Sequence, residues 1–137
     1  MGWRAVRITA DTNILVRAAV LDDPAQSERA AALITGAELV AVTLPALCEF
    51  CWVLKAIYAF PADQVAESIR HLAAARNVAM DREAVDAGLA LLETGGDFAD
   101  GVIAHEGRWL GGETFVSFDK KAVRLIEARG ERARVPG

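Results

Sequence analysis

Ala5-Val6-Arg7-Ile8-Thr9-Ala10-Asp11-Thr12-Asn13-Ile14-Leu15 is the stretch from which the rest of the chain is read. Val6, Ile8 and Ala10 fall on one face of an alternating run, the pattern of a strand. The run stops at an acid, passes two polar residues that suit a helix start, and resumes as an apolar stretch from Ile14 to Leu21 at helical spacing. Asp11 therefore stands where a strand hands over to a helix. Capping the helix is one use for a carboxylate there. The other is a ligand site, because open α/β sheets bind ligands at the carboxyl ends of their strands.

Downstream, the same alternation of elements repeats. Asp23 and Pro24 open a helix over about Ala25 to Ile34 that Gly36 ends, and Leu39 to Val42 reads as a buried parallel strand. Thr43-Leu44-Pro45 starts a helix to about Tyr58, and Pro61 starts an amphipathic one to about Arg76. Val78 to Met80 is a short strand, followed by a helix from Arg82 to about Glu93 that Gly95 and Gly96 stop. Asp97 opens a helix to about Trp109, Thr114 to Phe118 is a strand ending at Asp119, and Lys120 to Ala128 is a helix with Gly130 beyond it. Arg132 to Val135 adds an edge strand. Strands alternating with helices predict an α/β fold with a parallel sheet.

At 137 residues and 53% hydrophobic, the chain is the size of one domain with a substantial core, and a single domain over residues 1–137 is expected. The formal charge of −4 argues at first against a polyanionic partner. Setting aside the acids named below leaves the remainder slightly positive. Lys120, Lys121, Arg124, Arg129, Arg132 and Arg134 also face only Glu127 and Glu131 near the C-terminus. Arg4 and Arg7 suit the basic start of a signal peptide, but Asp11 interrupts the apolar run too early, and a cytosolic protein is expected. Gly2 has no Ser or Thr where a myristoylation motif needs one, since Val6 stands there. No run is long and apolar enough to span a membrane. Cys48 and Cys51 have redox or half-zinc spacing, yet they fall inside a helical pattern without a second pair, so helix packing is expected. His71 is expected on a solvated face, and His105 on a surface or in the core rather than on a metal.

Four segments each bring an acid to a strand end or a helix start: Asp11, Glu49, Asp97 with Asp100, and Asp119. Glu49 lies one turn into the helix to Tyr58, whose only other charge after Ala46 is Lys55. Such a helix should be covered nearly all round, and a buried carboxylate there needs a cation or a hydrogen-bonding network. Asp97 and Asp100 at one helix mouth look like a capping box, but one acid suffices to cap and two repel without a cation nearby. No arginine close in sequence neutralises the set, and hard oxygen donors of this kind suit Mg²⁺ or Mn²⁺.

These motifs, Asp11-Thr12-Asn13-Ile14-Leu15, Glu49, Asp97-Phe98-Ala99-Asp100 and Ser117-Phe118-Asp119-Lys120-Lys121, resemble in order and spacing those of PIN-domain proteins, specifically VapC-type toxins of toxin-antitoxin pairs. The resemblance covers essentially the whole chain. It implies a three-layer α/β/α domain with a central parallel sheet of four to five strands and metal-dependent endoribonuclease activity. Carried over residue by residue, Asp11, Glu49, Asp100 and Asp119 take the metal-holding positions, and Asn13 and Ser117 become polar groups supporting them. Asp97, at a less constant position, joins that supporting set. Gly101 stands where the family commonly has Ala, a departure expected to loosen the helix start. The resemblance further implies a homodimer, an RNA substrate cut to 5′-phosphate and 3′-hydroxyl ends, and a cognate small antitoxin that wraps the toxin. Surplus apolar surface on the helices from Pro45 to Tyr58 and Pro61 to Arg76 fits such partners.

Other acid-bearing α/β proteins fit less well. A haloacid-dehalogenase phosphatase needs a second Asp where Asn13 stands, and a receiver domain needs an acidic pair at the first strand end. A binding-only PIN scaffold is disfavoured by the complete acid set, whereas a housekeeping RNA-processing nuclease without an antitoxin shares every one of these features.

Overall fold

The computed structural model describes residues 6–137; Ala5, Arg4 and Gly2, which entered the reading above, lie outside them. The chain forms two compact units, divided between Asp81 and Arg82.

The first unit is built on a parallel sheet ordered β1 (Arg7–Thr9), β2 (Leu39–Ala41), β3 (Val78–Ala79). Arg7 pairs with Leu39, Thr9 with Ala41, and Val40 with Val78. Parallel neighbours need long crossovers. Here α1 (Thr12–Ala19) and α2 (Pro24–Gly36) connect β1 to β2, and α3 (Leu44–Ala56) and α4 (Ala62–Ala74) connect β2 to β3. Leu15, Val40, Leu47, Phe50, Leu54, Val65 and Ile69 are almost wholly buried and form the core. Asn77 ties the sheet to α2, its Nδ2 donating to the carbonyls of Ile34 at 2.7 Å and Ala37 at 3.0 Å.

α3 departs from expectation. Glu49, Trp52 and Ala56 lie on its exposed face, with Trp52 63% exposed, so the helix is not covered all round and Glu49 is not buried. Positions three and four apart make one stripe of a helix, and this stripe faces out while Leu47, Phe50, Cys51 and Leu54 face the core. Cys48 is half-buried and Cys51 buried, in line with packing. Burial, with Cys48 adjoining, pushes the Cys51 thiol up to about 12, against a small opposing pull from Lys55. α3 ends short of Tyr58 because Ala59 turns left-handed, at φ 55°, and the Phe60 N–H reaches the Leu54 carbonyl at 2.9 Å.

The second unit holds α5 (Arg82–Glu93), α6 (Phe98–Trp109), β4 (Phe115–Val116), α7 (Lys120–Ala128) and β5 (Ala133–Arg134). β4 and β5 pair in parallel, Phe115 with Ala133, so the strands of the described residues form one sheet of three and one of two rather than the single sheet of four to five that was expected. Leu91, Val123, Ile126 and Ala133 form a core cluster, with Phe115 packed against it. At the end of α5 the Gly96 N–H bonds the Leu91 carbonyl and the Gly95 N–H the Leu92 carbonyl, with Gly95 at φ 97°: a glycine-closed helix end. Gly101 does not loosen α6 as expected. A Cβ there would stand 2.3 Å from the Ala87 carbonyl oxygen, so glycine is what lets α6 lie directly on the backbone of α5. Among the described residues no helix is long and apolar enough to cross a membrane.

Candidate metal centre

In the first unit, β1 ends at Thr9, and after Ala10 the extended backbone of Asp11 (φ −79°, ψ 172°) turns the chain into α1. Asp11 Oδ1 accepts the Ile14 N–H at 3.1 Å, so the acid does cap the helix. α3, capped by Thr43 through the Ala46 N–H, presents Glu49 from its second turn. Asp11, Asn13 and Glu49 line one open cleft of about 390 Å³, together with Arg17, Val53, Ile57 and Tyr58.

The cation in that cleft was not anticipated. Arg17 lies on α1, its Nη1 donating to Asp22 Oδ1 at 2.9 Å and its Nη2 to the Tyr58 hydroxyl. Its Nε is buried without a hydrogen-bond partner. The Tyr58 hydrogen bond raises the guanidinium pKa above its ordinary value against the cost of burial, helped by Asp22, Tyr58 and Asp23. The one sequence trace of this arrangement is Arg17 itself, a lone charge in the apolar run from Ile14 to Leu21. Tyr58 is 41 residues away along the chain.

In the second unit, Asp97 is the N-cap of α6, but its side chain makes no capping hydrogen bond, so the expected capping box does not form. Asp100 lies in the first turn of the same helix. Asp119 caps α7, its Oδ1 accepting the N–H groups of Lys121 at 3.0 Å and Ala122 at 3.1 Å. The Asp119 N–H in turn donates to Ser117 Oγ at 3.0 Å, which fixes the turn between β4 and α7. One carboxylate oxygen from each of Asp97, Asp100 and Asp119 falls within 4.8 Å of the others. Asp100 is half-buried and the other two are exposed. Burial foremost, then the charges of Asp97 and Asp119, push the Asp100 carboxyl above its ordinary range.

Three hard oxygens at this spacing, with the innermost disfavouring its own ionised form, fit a divalent cation, whose charge would relieve that repulsion. Asp97 belongs to this group with Asp100 and Asp119, while Asp11, Asn13 and Glu49 share the cleft of the first unit. Ser117 acts on the Asp119 backbone. His71 is exposed on α4, and His105 is half-buried on α6.

Parallel strands joined by helices, with acids at strand ends and helix starts, make this an α/β protein in which Asp97, Asp100 and Asp119 could hold a metal ion. The sequence pattern of the PIN domain matches residues 8–127, and the chain belongs to that family, whose members are generally nucleases that use divalent metal. Among curated proteins none matches it.

Proposed function

We propose that the chain is a Mg²⁺- or Mn²⁺-dependent endoribonuclease, folded as one α/β/α PIN domain, that acts in the cytosol as the toxin of a type II toxin-antitoxin pair. The observation that carries the nuclease reading is the grouping of Asp97, Asp100 and Asp119, with one carboxylate oxygen of each within 4.8 Å of the others. In this reading Asp11, Glu49, Asp100 and Asp119 hold the metal, with Asn13, Ser117 and Asp97 supporting them. When bound, the ion supplies an acidified water and neutralises charge on the phosphate in an in-line displacement.

The chain's own groups do the positioning. Asp11 and Asp119 are held by the helix N–H groups they cap, and Ser117 holds the turn before Asp119. Each cap uses Oδ1 and leaves the second oxygen for the ion. Arg17, pinned by Tyr58 and Asp22, keeps a fixed positive charge in the cleft that faces an anionic backbone. The partner half of the proposal is supported by apolar surface in water: Trp52 and Ile57 are each more than 60% exposed, as a homodimer or antitoxin contact would need.

The test is incubation with total RNA in Mg²⁺, Mn²⁺ or EDTA, followed by mapping of the new ends. Cutting in either metal, abolished by chelator and leaving 5′-phosphates, is expected. Undiminished cutting in EDTA refutes the metal role, and no cutting in any condition refutes the nuclease.

A further inference from the structure

We propose that the turn from β4 into α7 is a platform for single-stranded RNA, on which Phe118 stacks an unpaired base and Lys120, Lys121 and Arg124 hold the adjoining phosphates. The inference rests on the ribonuclease reading and names how that site takes its substrate.

Strand alternation puts Phe115 against the core cluster and leaves Val116 and Phe118 outward. Phe118 is 82% exposed. A lone exposed apolar side chain needs no explanation, and Trp109 and Leu110 of the same unit are as exposed. Three things set Phe118 apart from them.

It adjoins Asp119, within the acidic group. Its backbone is fixed on both sides, because the Ser117 N–H bonds the Arg134 carbonyl at 3.2 Å, Ser117 Oγ takes the Asp119 N–H, and Asp119 caps α7. And its cations are available. Arg108, beside Trp109, is committed to Glu131, whereas Lys120, Lys121 and Arg124 are exposed and carry no ion pair among the described residues. The Lys121 ammonium lies over Gly95, 3.7 Å from where a Cβ would be, in the turn that leads to Asp97.

An aromatic face flanked by mobile cations is the arrangement that binds single strands without reading sequence: the ring stacks any base and the cations follow the backbone. The helix N-terminus does not compete for the phosphate, since Asp119 already occupies the Lys121 and Ala122 N–H groups. Duplex RNA keeps its bases stacked on one another and offers no face to Phe118.

The experiment measures binding of a fluorescent single-stranded oligouridylate in EDTA by anisotropy, with cleavage assayed separately in Mn²⁺. Phe118→Ala and Phe118→Leu should each weaken binding by about tenfold or more, the scale of one lost base stack. Phe118→Tyr and Phe118→Trp should stay near wild type, so aromaticity rather than bulk is what is read. Under saturating RNA the Leu variant should keep its kcat while KM rises, with an unchanged melting temperature. Changing Lys120, Lys121 and Arg124 singly to Gln should flatten the log-affinity against log-salt slope by about 0.7 each. Wild-type affinity for Phe118→Leu, or an equal loss on duplex RNA, overturns the platform while leaving the nuclease intact. A wild-type protein that neither binds nor cuts RNA overturns both.

Discussion

Replacing Gly101 by Ala tests whether the α5–α6 contact that carries Asp100 is as tight as it looks. An ideal Cβ at Gly101 would stand 2.3 Å from the Ala87 carbonyl oxygen and 2.8 Å from both the Ala87 carbonyl carbon and the Gly88 Cα. A carbon and a carbonyl oxygen settle at about 3.3 Å, so the two helices must part by about 1 Å. The obstacle is backbone, which no side-chain rotation can clear. Overpacking of this kind costs about 1–3 kcal/mol, while removing glycine from a helix returns up to about 1 kcal/mol.

The net expectation is a loss of about 1–2 kcal/mol and a melting temperature lower by about 4–8 °C for a chain of this size. Gly107, on the same helix, is the internal control: nothing lies within 4 Å of its Cβ position. Gly107→Ala should therefore keep the propensity gain and raise the melting temperature by a few degrees. Thermal and urea unfolding followed by circular dichroism, with EDTA present, read both. If Gly101→Ala melts at or above the wild type, the close approach of the two helices does not exist.

Asp100→Asn should raise the metal-free melting temperature at pH 7. Its folded pKa lies above the ordinary value, so the ionised form is penalised once pH exceeds that raised pKa and the penalty vanishes at pH below the unfolded value. The gain should therefore shrink to nothing by about pH 4, and a gain independent of pH refutes the repulsion. Asp119→Asn should abolish cleavage with the fold kept, because an amide oxygen can still accept the two N–H groups, whereas Asp119→Ala should also lose about 1 kcal/mol of stability. Equal stability of the two variants, by urea unfolding, says that the cap is idle. Changing Cys48 and Cys51 together to Ala should leave cleavage within a few-fold, and in the native protein iodoacetamide at pH 8 should spare Cys51, as mass spectrometry reports. Expression without an antitoxin should arrest growth and light scattering should give a dimer; harmless expression of a protein that cuts RNA points to a housekeeping nuclease, and a monomer refutes the dimer.

The order of elements was legible because Pro, Gly and capping acids punctuate the chain, and Asp23-Pro24 and Gly95-Gly96 fall where the structure starts and stops its helices. The misreadings have a common cause: sequence pattern reports composition and period but not which surfaces meet. α3 is apolar enough to suggest cover on every side, yet Glu49 and Trp52 share an outward stripe that no count of apolar residues reveals. Gly101 reads as a weakness in a helix until the backbone of Ala87 is found beside it. Arg17 draws no attention in the sequence, and its role in the cleft shows only when Tyr58, distant in sequence, is found on its guanidinium. The last two are long-range contacts and the first is decided by which surfaces meet elsewhere, while only local preferences are written locally.

Cap and metal ligand are commonly weighed as rival roles for an acid at a helix start, and the geometry here removes the rivalry. A carboxylate has two oxygens with several acceptor sites between them. Asp11 gives Oδ1 to the Ile14 N–H, and Asp119 gives Oδ1 to two N–H groups at once. The cap takes away the rotational freedom of the side chain, a cost that an ion would otherwise have to meet on binding. Helix formation thus restricts where the remaining oxygen can point. Asp97 and Asp100 divide the same labour differently: Asp97 occupies the cap position without a capping bond, and Asp100, half-buried one turn in, carries the electrostatic strain. That repulsion penalises the ionised form, and a cation beside the group would offset it. The fold thus holds these acids through ordinary helix-start geometry, and a capping role in sequence is no argument against a second role for the free oxygen.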